Sequence, residues 1–150
     1  MGAPALALVG EATYRAGTGK IEARLFVVNL NEAPVLASFH GPPGDEFPVE
    51  WAVVDENGQD SAFGWTWGYR GVVHRRELRC CDGIPRNGDA CLSSILKIEY
   101  PQSTISDPPH EPGRPKTLEV WAEVFIVEGD PASTPGKMSV AGRIPIATTP

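Results

Sequence analysis

Apolar residues recur at every second position through most of the chain, a period that predicts strands rather than helices. In KIEARLFVVNLN, Ile21, Ala23, Leu25 and Val27 share one face. Glu22 and Arg24 begin the other face before Phe26, Val28 and Leu30 take it over, so the strand is wet where it starts and buried on both sides further on. VEWAVVDENGQ sets Val49, Trp51 and Val53 together, and Asn57-Gly58 supplies a tight hairpin turn with positive φ angles. CLSSILKIEY aligns Leu92, Leu96, Ile98 and Tyr100 against Ser93, Lys97 and Glu99, the pattern of a sheet with one solvated face. TLEVWAEVFIVEG turns Leu118, Val120, Ala122, Val124 and Ile126 inward and Glu119 and Glu123 outward, which leaves Trp121 and Phe125 as large apolar residues on the polar face.

Met138, Val140, Ile144 and Ile146 have common parity near the end. With ALALV, VLASFHG, the aromatic run at 62–70 and VVHRREL, these segments predict eight or nine strands. No window keeps a 3.6-residue period over three turns. The expectation is one all-β domain over residues 1–150, an antiparallel β-sandwich of the immunoglobulin-like or jelly-roll kind. The connections GPPGDEFP, SDPPHEPGRP and EGDPASTPGK read as surface loops. The one at 106–115 is the most extended and rigid, suited to an arm that reaches a neighbour.

Composition agrees with a folded chain: 150 residues, 41% hydrophobic and 21% charged, with 16 Gly and 15 Pro to punctuate short elements. A net charge of −6 argues against a nucleic-acid partner, since phosphate recognition needs clustered Lys and Arg. No apolar stretch approaches a membrane span. The opening MGAPALALVGEATY lacks a basic start and a long apolar run, and Leu6 stands where a myristoylation signal needs Ser or Thr. The expectation is a soluble protein.

Four constellations bear on chemistry. In FGWTWGYR, Phe63, Trp65, Trp67 and Tyr69 share one strand face and Gly64, Thr66 and Gly68 the other. The rings either fill the core, with the glycine side toward solvent or a neighbouring element, or form a binding platform for a sugar or a protein. VVHRRELR gathers His74, Arg75, Arg76 and Arg79; alternation sends Arg75 and Arg79 to one side with Glu77 between them. Such a segment is a charge-protected edge strand or a contact for an acidic surface. In RCCDGIPRNGDAC, Cys81 or Cys80 can face Cys91 across a hairpin as a disulfide, or all three cysteines stay reduced. His74 and the cysteines lack zinc-knuckle spacing, so no metal is expected, and DENGQD is a hairpin turn rather than a calcium loop.

No nucleophile elbow, zinc-protease helix or phosphate loop occurs, and His40, His74 and His110 lie in loop-like or charged segments. No catalytic residue and no cofactor is expected. Residues 21–67 resemble the immunoglobulin-like sandwich of the bacterial intracellular proteinase inhibitors, through Asn29, Pro34, Phe39, Trp51, Asp55, Gly58, Trp65 and Trp67. The resemblance implies a sandwich that presents a loop to a proteinase. The stretch between Gln59 and Trp65 and the cysteine segment depart from that pattern.

The leading functional expectation is a non-enzymatic structural protein, such as a viral capsid decoration protein or another oligomeric surface component. It would act as a homo-oligomer or within a larger assembly, on the virion or assembly surface. The alternative is a ligand-binding module, a cytoplasmic proteinase inhibitor or a carbohydrate binder using Trp65 and Trp67. Candidate contact residues are Phe63, Trp65, Trp67, Tyr69, Arg75, Arg79, Trp121 and Phe125.

Overall fold

The structure, a computed structural model, describes residues 6–31, 33–40, 47–66, 73–79, 91–100, 113–127 and 136–150, with the backbone alone at 40, 73–76, 127 and 136–138. Its elements are β1 (Leu6–Arg15), β2 (Lys20–Asn29), β3 (Val35–His40), β4 (Val49–Asp55), β5 (Asp60–Trp65), β6 (Val73–Leu78), β7 (Leu92–Glu99), β8 (Pro115–Val127) and β9 (Gly136–Thr149). The domain is all-β, without helix among the described residues.

The strands form one nine-stranded sheet along the path β5-β4-β8-β9-β1-β2-β7, with β3 on β8 and β6 on β3. The sheet curls into a half-barrel and is mixed rather than wholly antiparallel. The physical cause lies in β9. Its Gly136–Pro145 portion runs antiparallel to β8, and Ile146–Thr149 then runs parallel to Ala12–Arg15 of β1. One long strand thus joins what would otherwise be two layers. Where β1 passes over β9, a β-carbon on Gly142 would collide with the backbone carbonyl of Leu8, so this close approach requires glycine.

The alternating residues line the concave side as expected. Ile21, Ala23, Leu25, Val27, Leu92, Leu118, Val120 and Val124 are fully buried there, with Phe39, Phe47 and Trp51 as the large fillers. Burying each valine, leucine or isoleucine of this set is worth about 1.5–3 kcal/mol. A second, smaller cluster of Phe26, Val28 and Cys91, with Ala7 and Val9 against it, occupies the other face of β1–β2. Phe26 and Val28 thereby account for the two-sided end of the β2 pattern, whereas Leu30 lies exposed beyond the strand.

The two ends of the sheet path approach one another through side chains. Tyr100, just after β7, donates its hydroxyl to Gly113 O (2.6 Å) and shares a 2.8 Å hydrogen bond with Ser61 of β5. Ser94 of β7 donates to Phe47 O at 3.3 Å. Tyr14 packs edge-on against the Tyr100 ring, with centroids 5.6 Å apart.

The β4–β5 turn differs from the expected two-residue form. Gly58 N donates to Asp55 O (3.0 Å) and Asp55 N to Gln59 O (2.9 Å), so Glu56 and Asn57 are central and Gly58 follows at φ 78°. The Asp55 side chain selects this geometry by accepting from Asn57 N (2.9 Å) and Gln59 N (3.0 Å) through Oδ1. Its Oδ2 accepts from Gly113 N at 3.2 Å, and Arg114 N donates to Glu56 Oε1 at the same distance. The C-terminal end of the 106–115 connection is therefore tied to the chain's own turn; residues 106–112 lie outside the described residues.

Asn29, at the end of β2, is fully buried and uses its whole amide. Nδ2 donates to Ala33 O (2.9 Å) and Leu78 O (3.0 Å), while Oδ1 accepts from Asn31 N (2.9 Å) and Asn31 Nδ2 (3.1 Å). That one side chain shapes the β2–β3 connection and anchors it to β6.

Candidate functional site

Strand β3 and then β4 run end to end along one edge of β8: Leu36–Ser38 oppose Val127–Phe125, and Val49–Asp55 oppose Ala122–Pro115. Only Glu123 and Val124 of β8 separate the two stretches, while residues 39–48 intervene on the other side. Strands β5 and β6 repeat the arrangement one place outward, on β4 and β3. This edge of the sheet is thus a long double strand parted in its middle.

Thr66 closes the ladder at this parting. Its N–H donates to Val49 O (2.9 Å), and its Oγ1 accepts from Val49 N (2.9 Å). Beside it lies an open trough of about 760 Å³ lined by Pro48, Glu50, Trp65, Thr66, Trp121 and Glu123, with Val49, Ala122 and Ser139.

The register explains the lining. Glu50 of β4 is directly opposite Trp65 of β5 on one side and Trp121 of β8 on the other, and Trp121 is opposite Ala141 of β9. Directly opposed residues share a face with β-carbons about 4.5–5.5 Å apart, so a carboxylate stands between two indoles on the convex side. The next row holds Phe63, Ala52, Glu119 and Arg143, in which Arg143 pairs with Glu119 at 3.4 Å. Phe63 is 63% exposed, Trp65 51% and Trp121 41%.

The core-filling alternative for the aromatic run does not describe Phe63 and Trp65. Their strand turns its glycine side inward because Trp51, directly opposite Gly64, already fills that space. A β-carbon at Gly64 would stand 2.6 Å from the Trp51 ring. The register shift between Val53 and Val54, which leaves Ser61 as an extra residue in β5, fixes this parity.

Phe125 is half-buried on the same convex face, opposite Ser38 and Lys137. Arg79 is exposed and pairs with Glu77 at 3.2 Å. Backbone pairing sets Arg75 opposite Ser38, in the row that holds Phe125, but its side chain is not described. Trp67, Tyr69, Cys80 and Cys81 lie outside the described residues; Cys91 is buried beside Phe26 and Val28. The structure therefore brings Phe63, Trp65 and Trp121 together and sets Arg79 apart from them on β6's end.

Two features were not anticipated from sequence. Glu50 is an unremarkable polar position until its register neighbours are known. Asp55 is buried and accepts hydrogen bonds from its own turn and from Gly113. Its carboxyl is held below the ordinary carboxylate range, first by the Gln59 N–H and also by Gly113 and Asn57, against the opposing effect of burial. Burial pushes the Tyr100 phenol up, partly offset by its hydrogen bond with Ser61. Both groups secure the domain's end rather than line the trough.

These elements define an all-β domain with a curled mixed sheet and an aromatic, acidic trough on its convex face. No protein-family model matches the chain, and no curated protein matches it. A solved structure described as "X-ray structure of Northeast Structural Genomics Consortium target SoR45" is similar at 13% identity, over 97% of this chain and 86% of that chain, with a TM-score of 0.42. No helix is long and apolar enough to cross a membrane among the described residues.

Proposed function

We propose that this chain is a non-enzymatic structural module that works in an oligomeric assembly, docking through the convex face of β5, β4 and β8. On this reading the fold acts as a modified antiparallel sandwich whose long β9 joins the two layers. The observation that carries the proposal is the grouping of Phe63, Trp65 and Trp121 on one exposed face of a domain whose interior is already filled by Trp51, Phe39 and Phe47. Contiguous exposed aromatics are uncommon on free monomers and are the residues that anchor protein interfaces. A capsid decoration protein or another surface component is the kind of assembly such a module serves.

Light scattering across a concentration series, with acrylamide quenching of tryptophan on the same samples, tests this. The expected result is a species heavier than the 16.1 kDa monomer with shielded indoles, returned to monomer by Trp65→Ser with Trp121→Ser. A monomer with readily quenched indoles at every concentration would refute self-assembly through this face.

A further inference from the structure

The trough carries more information than its apolar area. Glu50 stands between Trp65 and Trp121 by register and makes no hydrogen bond or ion pair among the described residues, whereas Glu119 in the next row is matched by Arg143. Glu123 lines the same trough one row along β8. An indole face attracts a cation through its quadrupole, and a flanking carboxylate adds charge and an acceptor for N–H donors. The net charge of the chain, −6, has the same sign as the trough.

We propose that the trough receives an arginine or lysine side chain from a second copy of this chain in the assembly, its cationic head between the Trp65 and Trp121 rings and against the Glu50 carboxylate. Arginine is the better fit, because a planar guanidinium stacks on an indole and donates two parallel hydrogen bonds to a carboxylate. This deepens the docking reading and rests on it. Electrostatic complementarity here gives orientation and partner choice, while the aromatics exclude water around the contact.

The test uses the full chain at a concentration below the onset of association. Its tryptophan indole N–H resonances are followed as acetylated, amidated hexa-arginine, hexa-lysine, hexa-glutamate and an uncharged hexasaccharide are added in turn. The Trp65 and Trp121 signals, assigned with single Trp→Phe variants, are expected to move with hexa-arginine, less with hexa-lysine, and not with hexa-glutamate or the sugar. The Trp51 signal should stay in place, because that ring is buried against Gly64. Glu50→Gln, a change at an exposed position whose fold is checked by circular dichroism, is expected to weaken hexa-arginine binding about five- to tenfold, in the range of a partly desolvated cation contact.

Indole shifts insensitive to Glu50→Gln, or absent with both cationic peptides, overturn the inference. Shifts confined to the sugar overturn it in favour of carbohydrate recognition. Failure of the docking reading looks different: the trough binds hexa-arginine, yet light scattering shows no association that the tryptophan substitutions relieve.

Discussion

Replacing Asp55 by Asn isolates the charge that ties the β4–β5 turn to the start of β8. The carboxylate accepts three backbone N–H groups, from Asn57, Gln59 and Gly113. Asparagine keeps one acceptor oxygen for the first two but turns an amide N–H₂ toward Gly113, which is itself a donor. One charge-assisted hydrogen bond becomes a donor facing a donor, and two others lose their charge, for a total cost of about 1–3 kcal/mol. For a domain of this size that corresponds to a fall in Tm of roughly 3–10 °C. The pH dependence gives the sign independently. Because the folded carboxyl is held below its unfolded value of 3.8, its contribution is fully present above that value and is lost as pH falls through the folded one. Thermal melts of both proteins by circular dichroism, from neutral pH to pH near 2, should show the gap between them at its widest near neutrality and closing in acid. A gap of equal size at both ends would refute the argument, since it would mean that shape, not charge, holds the turn.

Further outcomes follow from the packing. Tyr100→Phe keeps the ring against Tyr14 but strands Gly113 O, and should cost about 1–2 kcal/mol in urea unfolding. Because the Tyr100 pKa is raised, its stabilisation is complete below about pH 10 and is lost as pH rises through the folded value; the Phe variant should lack this part of the alkaline loss. Gly64→Val forces a side chain into the Trp51 ring and should destabilise by about 1–3 kcal/mol, with a change in near-ultraviolet tryptophan dichroism. Gly142→Ala meets backbone rather than a movable side chain, so a loss of at least about 1 kcal/mol is expected by urea titration; a neutral result would mean that β1 can lift away from β9.

Much of the core was readable because burial in a strand repeats every two residues, a property of adjacent positions alone. The inward sets 21–27, 49–53 and 118–126 follow directly from their alternation, and the outward placing of Trp121 follows from its parity with Glu119 and Glu123. Alternation says that a strand has two faces, but it does not choose between them when one carries rings and the other glycine. For β5 that choice was made by Trp51, a residue of another strand that needed the space over Gly64. The extent of β1 beyond ALALV and of β9 to Thr149 likewise depended on partners, because Ala12–Arg15 and Ile146–Thr149 pair with each other from opposite ends of the chain.

The trough shows the same division. Its aromatics could be picked out along the chain, but Glu50 acquired meaning only when pairing set it between Trp65 and Trp121, residues 15 and 71 positions away by number. Asp55 met Gly113 across 58 positions, and Tyr100 met Ser61 across 39. The sequence by itself determined strand character, the identity of most inward residues and the absence of a recognisable catalytic motif, because these depend on local period and residue type. Tertiary structure alone decided the parallel β1–β9 join, the parted double strand and the face on which carboxylate and indoles meet, because register between distant strands is set by how their side chains share one interior.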